Sequence, residues 1–233
     1  MTGFTAAVGP TVPSPGAGIT DALSLLVLLS EFAMLRSALP RTQVRLYAFQ
    51  SLCVTGLAID LAVSGGVPEA YAVAGISFLI KVVVIPLIVL RLLVDVEVEV
   101  AGSERLKVAT MTFAGIVLAG FGLVVARQIR LPVSGWPAAS PGVSLAMATA
   151  AVLVAFLLVI MRGDVVSQAI GFFALENAVS VASLVLASRL PLLAEIAFLF
   201  DLLVAVVFFG VLMRAHHGRA RTLFTDVLDR LRG

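Results

Sequence analysis

The sequence predicts an all-α, polytopic membrane protein with about seven transmembrane helices. Three observations predict it. The mean hydropathy is +1.12 and 61% of the residues are hydrophobic. Only 13% are charged, whereas a soluble domain is nearer a quarter charged. Apolar stretches of about 20 residues, long enough to cross a bilayer, recur along the chain. Each such stretch can satisfy its backbone hydrogen bonds in lipid only as a helix.

The elements follow in order. Residues 1–18 begin MTGFTAAVGPTVPSPG, a run of Gly, Pro, Ser and Thr that reads as a flexible start. No basic segment precedes the first apolar run, so it does not read as a cleaved signal peptide. The first span covers about 19–39 and includes Asp21 and Glu31. The second covers about 46–64, with Gln50 and Asp60, and the third about 71–93, with Lys81 and Pro86. These make a three-helix unit, 19–93. A second block, 94–142, holds the polar segment DVEVEVAGSERLK, an uncharged fourth span at about 108–126, and a loop with Arg130 and Trp136. The fifth, sixth and seventh spans cover about 143–161, 165–188 and 191–213 and form a second three-helix unit, 143–213. The remainder, 214–233, places Leu223, Phe224, Val227, Leu228 and Leu231 on one side of an amphipathic cytoplasmic helix.

Lys and Arg set the orientation. One set of loops holds Arg36, Arg41, Arg45, Arg91, Arg105, Lys107, Arg162, Arg214, Arg219, Arg221, Arg230 and Arg232, which is twelve; the other holds Arg127, Arg130 and Arg189, which is three. Twelve against three places the C-terminus in the cytoplasm and, with seven spans, the N-terminus outside. The two three-helix units echo each other. Gln50 in LYAFQSL corresponds to Glu176 in FFALENA, and Lys81 to Asp201. One helix between the units makes them a parallel repeat.

Several function classes are excluded. There is no P-loop, no glycine-rich dinucleotide fingerprint and no HExxH. The single cysteine, Cys53, cannot build an internal disulfide or a four-cysteine cluster. His216 and His217 are adjacent, about 100° apart around a helix, so they do not share a metal. Gly115, Ala119 and Gly122 form a small-residue stripe suited to close helix packing.

The residues that invite a function are the charges inside the spans. An ionisable group at a helix centre costs roughly 2.5–3.5 kcal/mol on insertion scales, so it faces protein or water and is a functional candidate. Glu176, Asp201 and Lys81 each lie about ten to twelve residues into their helices, roughly 15–18 Å deep, near the midplane. Protons can pass among groups so matched in depth, through intervening water. Glu195, about four residues inside Pro191, sits nearer the outer mouth. Secondary candidates are Gln50, Asp60 and Glu31. The competing reading of a Lys–Glu or Lys–Asp pair is a structural bond that only fixes helix packing.

These residues resemble a known family. The block 170–214, with LENA around Glu176, the turn RLPLL, and Glu195 and Asp201 six residues apart, is similar to component E of hydrogenase-4. RLYAFQSL and LIKVVVIPLIVLRLL, within 45–93, fit the same family. That family looks like an enlarged relative of two small membrane proteins, the K subunit of complex I and component C of Mrp antiporters. By this resemblance Glu176 matches the first acid of those small proteins. Asp201, thirteen residues before the basic end of its helix, matches the second, with Glu195 as its rival.

The resemblance implies a non-catalytic subunit of an oxidoreductase complex in a bacterial or archaeal plasma membrane. Its midplane charges would contribute to proton or sodium translocation. Its expected partners are the lipid bilayer, antiporter-like membrane subunits, a quinone-subunit-like membrane anchor and a soluble redox arm, not nucleic acid. Nickel–iron and iron–sulfur centres are expected in those partner subunits and no cofactor in this chain. Two other readings compete: a stand-alone proton-coupled secondary transporter, and a structural membrane subunit that conducts nothing.

Overall fold

The computed structural model describes residues 15–65, 69–93, 104–128, 141–186 and residue 210. The described elements are helices: α1 (Pro15–Arg36), α2 (Pro40–Gly65), α3 (Glu69–Ser77), a π-helical stretch (Phe78–Val84), α4 (Ile85–Leu92), α5 (Glu104–Gln128), α6 (Pro141–Met161) and α7 (Val165–Leu186). Five stretches of these are long and apolar enough to cross a membrane: Gly18–Arg36, Ala74–Arg91, Val108–Gln128, Val143–Met161 and Val165–Val185. They coincide with the first, third, fourth, fifth and sixth expected spans. α2 is 26 residues long. It is not one of the five, and it presents buried polar side chains, Gln43, Gln50, Ser51 and Thr55, to its neighbours. The seventh expected span, with Glu195 and Asp201, lies outside the described residues apart from Gly210, as does the tail 214–233.

Proline and arginine shape the first hairpin. Pro15 and Pro40 each occupy the first position of a helix, where no backbone donor is required. Ser37, Ala38 and Leu39 make the turn between α1 and α2. The last carbonyls of α1 have no partner within their own helix. Arg162, buried in the turn between α6 and α7, supplies one: its Nη2 donates to the carbonyls of Met34 (3.1 Å), Leu35 (2.9 Å) and Ser37 (2.6 Å). A guanidinium at a helix C-terminus also meets the negative end of the helix dipole. Asp164 then caps the start of α7, accepting from the backbone N–H of Ser167 at 2.7 Å. One arginine thus joins the α1–α2 and α6–α7 turns.

The two hairpins lie against each other, α1 on α6 and α2 on α7, with α5 against α6 and α1. Small residues permit the approach. A Cβ on Gly122 of α5 would stand 2.9 Å from Ala150 Cα of α6, and one on Gly171 of α7 would stand 3.1 Å from the Val159 backbone nitrogen. In a bilayer, where lipid is as apolar as leucine, such contact of backbones drives helix association. The stripe expected on the fourth span therefore packs inside the chain, with Gly115 against Phe32 and Leu35 of α1. The opposite face of α5 carries Phe113, Ile116, Val117, Phe121 and Val124, all exposed.

The third rod is continuous but not uniform. Pro86 has no N–H, and its ring conflicts with the carbonyl four residues back, that of Val82. The helix widens just before it: the Ile85 N–H bonds to the Ile80 carbonyl, five residues back. Lys81 is the middle residue of the resulting π stretch, Phe78–Val84.

Candidate functional site: a polar network across three helices and a π stretch

The network begins at Lys81. Its side chain is 2% exposed, and that of its partner Glu176, on α7, is 11% exposed. Lys81 Nζ lies 2.6 Å from Glu176 Oε1 and donates to Ser180 Oγ at 3.2 Å. Ser180 stands one helical turn beyond Glu176 and donates to the same carboxylate oxygen at 2.8 Å. A buried ammonium is therefore matched by one carboxylate and one hydroxyl, which is how such a charge is tolerated away from water.

The next residue on α7, Asn177, turns about 100° from Glu176 and meets α2. Its Nδ2 donates to Ser51 Oγ at 2.8 Å and to Gln50 Oε1 at 3.2 Å. Gln50 Nε2 in turn donates to Glu31 Oε1, on α1, at 2.6 Å. Glu31, Gln50, Ser51 and Asn177 are all fully buried. Tyr47 lies one turn before Gln50 and Ser51. Its hydroxyl lies near Ser51 and Glu176. Tyr47 also packs on Phe173, ring centroids 5.7 Å apart. Four buried atoms of this cluster have no hydrogen-bond partner among the described residues: Glu31 Oε2, Tyr47 Oη, Glu176 Oε2 and Asn177 Oδ1. A bridge of two amides thus runs from the Glu31 carboxyl to Asn177, whose neighbour along α7 is Glu176.

The structure pairs Lys81 with Glu176 and Gln50 with Glu31, the two pairs meeting at the adjacent residues Glu176 and Asn177. It sets Asp60 apart: Asp60 accepts from Thr20 Oγ1 at 2.7 Å, ten residues, or about 15 Å, along α2 from Gln50. Asp21 accepts from Ser144 near that same end of α1. Glu195 and Asp201 lie outside the described residues. Hydropathy and charge alone miss Asn177, Ser180, Ser51 and Tyr47. Two of them carry a signal: Ser180 is four residues from Glu176, and Asn177 is the one asparagine in the chain. Among the described residues no cluster of three or more His, Cys, Asp or Glu could hold a metal ion.

Comparisons with known proteins place this chain among relatives. The chain is 30% identical over 212 residues to the uncharacterized protein Rv0085 of Mycobacterium tuberculosis, covering 89% of this chain and 91% of that one. It belongs to the same family as that mycobacterial protein. A more distant homologue is component E of hydrogenase-4, from Escherichia coli K12 and from Shigella flexneri, 23% identical over 218 residues. That alignment spans 94% of this chain and 99% of component E. No protein-family model matches, and no solved structure matches. The helices and the homology together make this a multi-pass membrane protein distantly related to a hydrogenase membrane subunit.

Proposed function

We propose that this protein is a membrane subunit of a hydrogenase-4-like, complex I-related assembly and that its interior charges carry protons or sodium ions laterally through the bilayer. The observation that carries the proposal is the Lys81–Glu176 pair, held inside a chain that aligns over 94% of its length with hydrogenase-4 component E. A proton arriving on Glu176 Oε2 neutralises the acid half of the pair. Lys81 is then left with the Ser180 hydroxyl and an uncompensated charge. That charge pulls on the next acid in the row, and release of the proton resets the pair. Asp201, or Glu195 in its place, is assigned the role of that next acid on the seventh span.

In this reading the chain bridges antiporter-like subunits and a quinone-subunit-like anchor. A soluble arm with nickel–iron and iron–sulfur centres supplies the redox chemistry. The distribution of Lys and Arg supports a cytoplasmic C-terminus and an outer N-terminus.

Extraction of native membranes in mild detergent tests the assembly: antiporter-like and iron–sulfur proteins should co-purify with the chain. Glu176→Gln tests the pathway. The assembled complex should keep electron transfer and lose ion movement in vesicles. A variant that still couples the two at full stoichiometry would remove Glu176 from the pathway.

A further inference from the structure

The hydrogen bonds that link Glu31 of α1 to Asn177 of α7 all run in one direction. Asn177 donates to Gln50 and Ser51, and Gln50 donates to Glu31. Every donor points toward an acceptor on the Glu31 side, a setting that suits a Glu31 oxygen acting as acceptor. A second setting uses the same three contacts in reverse. If the Glu31 oxygen carries a proton and donates, Gln50 must present its Oε1. Its Nε2 then faces Asn177, which must present Oδ1, and the Ser51 hydroxyl donates to that same oxygen. An amide presents an acceptor on one side and two donors on the other, so a half-turn of each terminal group exchanges the settings with no covalent change. The two settings contain equal numbers of hydrogen bonds. What selects between them is whether the Glu31 oxygen accepts or donates.

We infer that Gln50 and Asn177 form a two-position amide switch that conveys the protonation state of Glu31, on α1, to Asn177, the residue beside Glu176 on α7. The switch rests on reading the cluster as a proton-carrying site, but it adds a coupling between helices that the lateral path does not require. No proton crosses either amide; the proton that Glu31 gains comes from the aqueous phase. What moves is the orientation of Asn177, whose backbone neighbour is Glu176, and of the Ser51 hydroxyl beside Tyr47. Coupling of this kind is reciprocal: if Glu31 sets the amides, the orientation of Asn177 sets the proton affinity of Glu31 equally.

Among the described residues, the ionisable groups on the elements packed on α1 are few. Those elements are α2, α5, α6 and α7. α2 carries Arg41, Arg45, Tyr47, the buried thiol of Cys53 and Asp60; α7 carries Glu176, paired with Lys81; and buried Arg162, in the turn between α6 and α7, bonds to the Met34 carbonyl one turn from Glu31. α6, and α5 between Val108 and Ala126, carry no ionisable side chain. α1 itself carries Asp21 and Arg36, ten and five residues away.

The chain's one asparagine makes the test direct. The full-length protein, reconstituted in lipid bilayers with ¹⁵N in the asparagine side chain, gives a single asparagine amide signal. That signal and the ¹³C carboxyl signal of Glu31, assigned with Glu31→Gln, are followed by solid-state NMR through a pH titration. The Asn177 signal should move in step with Glu31 in the wild-type chain. It should be unresponsive at that midpoint in Glu31→Gln. In Gln50→Met, a near-isosteric change, Glu31 should still titrate while Asn177 no longer follows. A wild-type Asn177 signal that stays fixed while Glu31 titrates overturns the switch without recourse to any variant. So does an Asn177 signal that still follows Glu31 in Gln50→Met, because the field then acts through space. The isolated chain suffices here, so loss of the switch and loss of the translocation role register in different experiments.

Discussion

Removing one member of the Lys81–Glu176 pair separates a bond that holds helices from a bond that carries ions. Lys81→Met deletes both contacts of the ammonium, the one at 2.6 Å to Glu176 and the one at 3.2 Å to Ser180. Glu176 keeps only the Ser180 hydroxyl on Oε1 and nothing on Oε2. Breaking a buried pair in this way destabilises by about 3–5 kcal/mol, because a charge is left buried without its partner. Glu176→Gln should be at least as severe, since the stranded group is then Lys81, with a side chain 2% exposed against 11% for Glu176. The double substitution Lys81→Met, Glu176→Gln leaves no stranded charge and should regain all but about 1 kcal/mol. Equilibrium unfolding in mixed micelles reads this as a coupling of about 5 kcal/mol or more between the two positions, over three decades in the folded-to-unfolded ratio. Additive single effects would refute the argument, as would a Lys81→Met protein as stable as the wild type. In the assembled complex the same double variant should fold and still fail to move ions. If it moves them normally, the pair is a structural fastening only.

Four further outcomes follow from the packing and the helix caps. Arg162→Leu removes one donor from the carbonyls of Met34 and Ser37, which keep the Ser37 N–H and Gln43 Nε2, and leaves the Leu35 carbonyl without its buried donor; it should destabilise by about 1–3 kcal/mol, read in the same unfolding assay. Gly122→Ala forces a Cβ to within 2.9 Å of the Ala150 backbone and should cost about 1–3 kcal/mol. Gly120→Ala, on the same helix with nothing within 4 Å, should stabilise by about 0.5–1 kcal/mol. Asp164→Ala removes the N-cap of α7 and should cost about 1 kcal/mol, with fraying that hydrogen exchange at Ser167 would detect.

The helical membrane architecture is legible in the sequence because burying a backbone in lipid demands long apolar runs, and such runs survive any reshuffling of partners. Lys81 and Glu176 are legible for the complementary reason: a charge in such a run needs a partner, and depth along the helix narrows the choice. Asp60 and Glu31 look alike on that measure, each a turn or two from a helix end. They differ in their neighbours. Gln50 reaches Glu31, whereas Asp60 finds Thr20 at the other end of α1. Reach of that kind depends on how α1 and α2 are rotated about their axes, which hydropathy does not encode. Asn177 stands inside the LENA motif yet draws little notice there, because a neutral amide costs less to bury than a charge. The role of Arg162 is hidden too. As a loop arginine it serves to orient the chain, and only the approach of the two turns makes it a cap.

The widened turn around Lys81 has a consequence for how this rod accommodates change. A π turn holds about one residue more than the α turn it replaces. The surplus residue lets the faces of α3 and α4 be phased independently on either side of Lys81. Deleting a single residue between Phe78 and Val84 would restore ordinary winding there and swing everything on one side of the deletion by about 100° relative to the other. The ammonium would then point away from α7 while every apolar residue of α4 kept its spacing. Chain length at this one spot, rather than the identity of any side chain, is what aims the lysine.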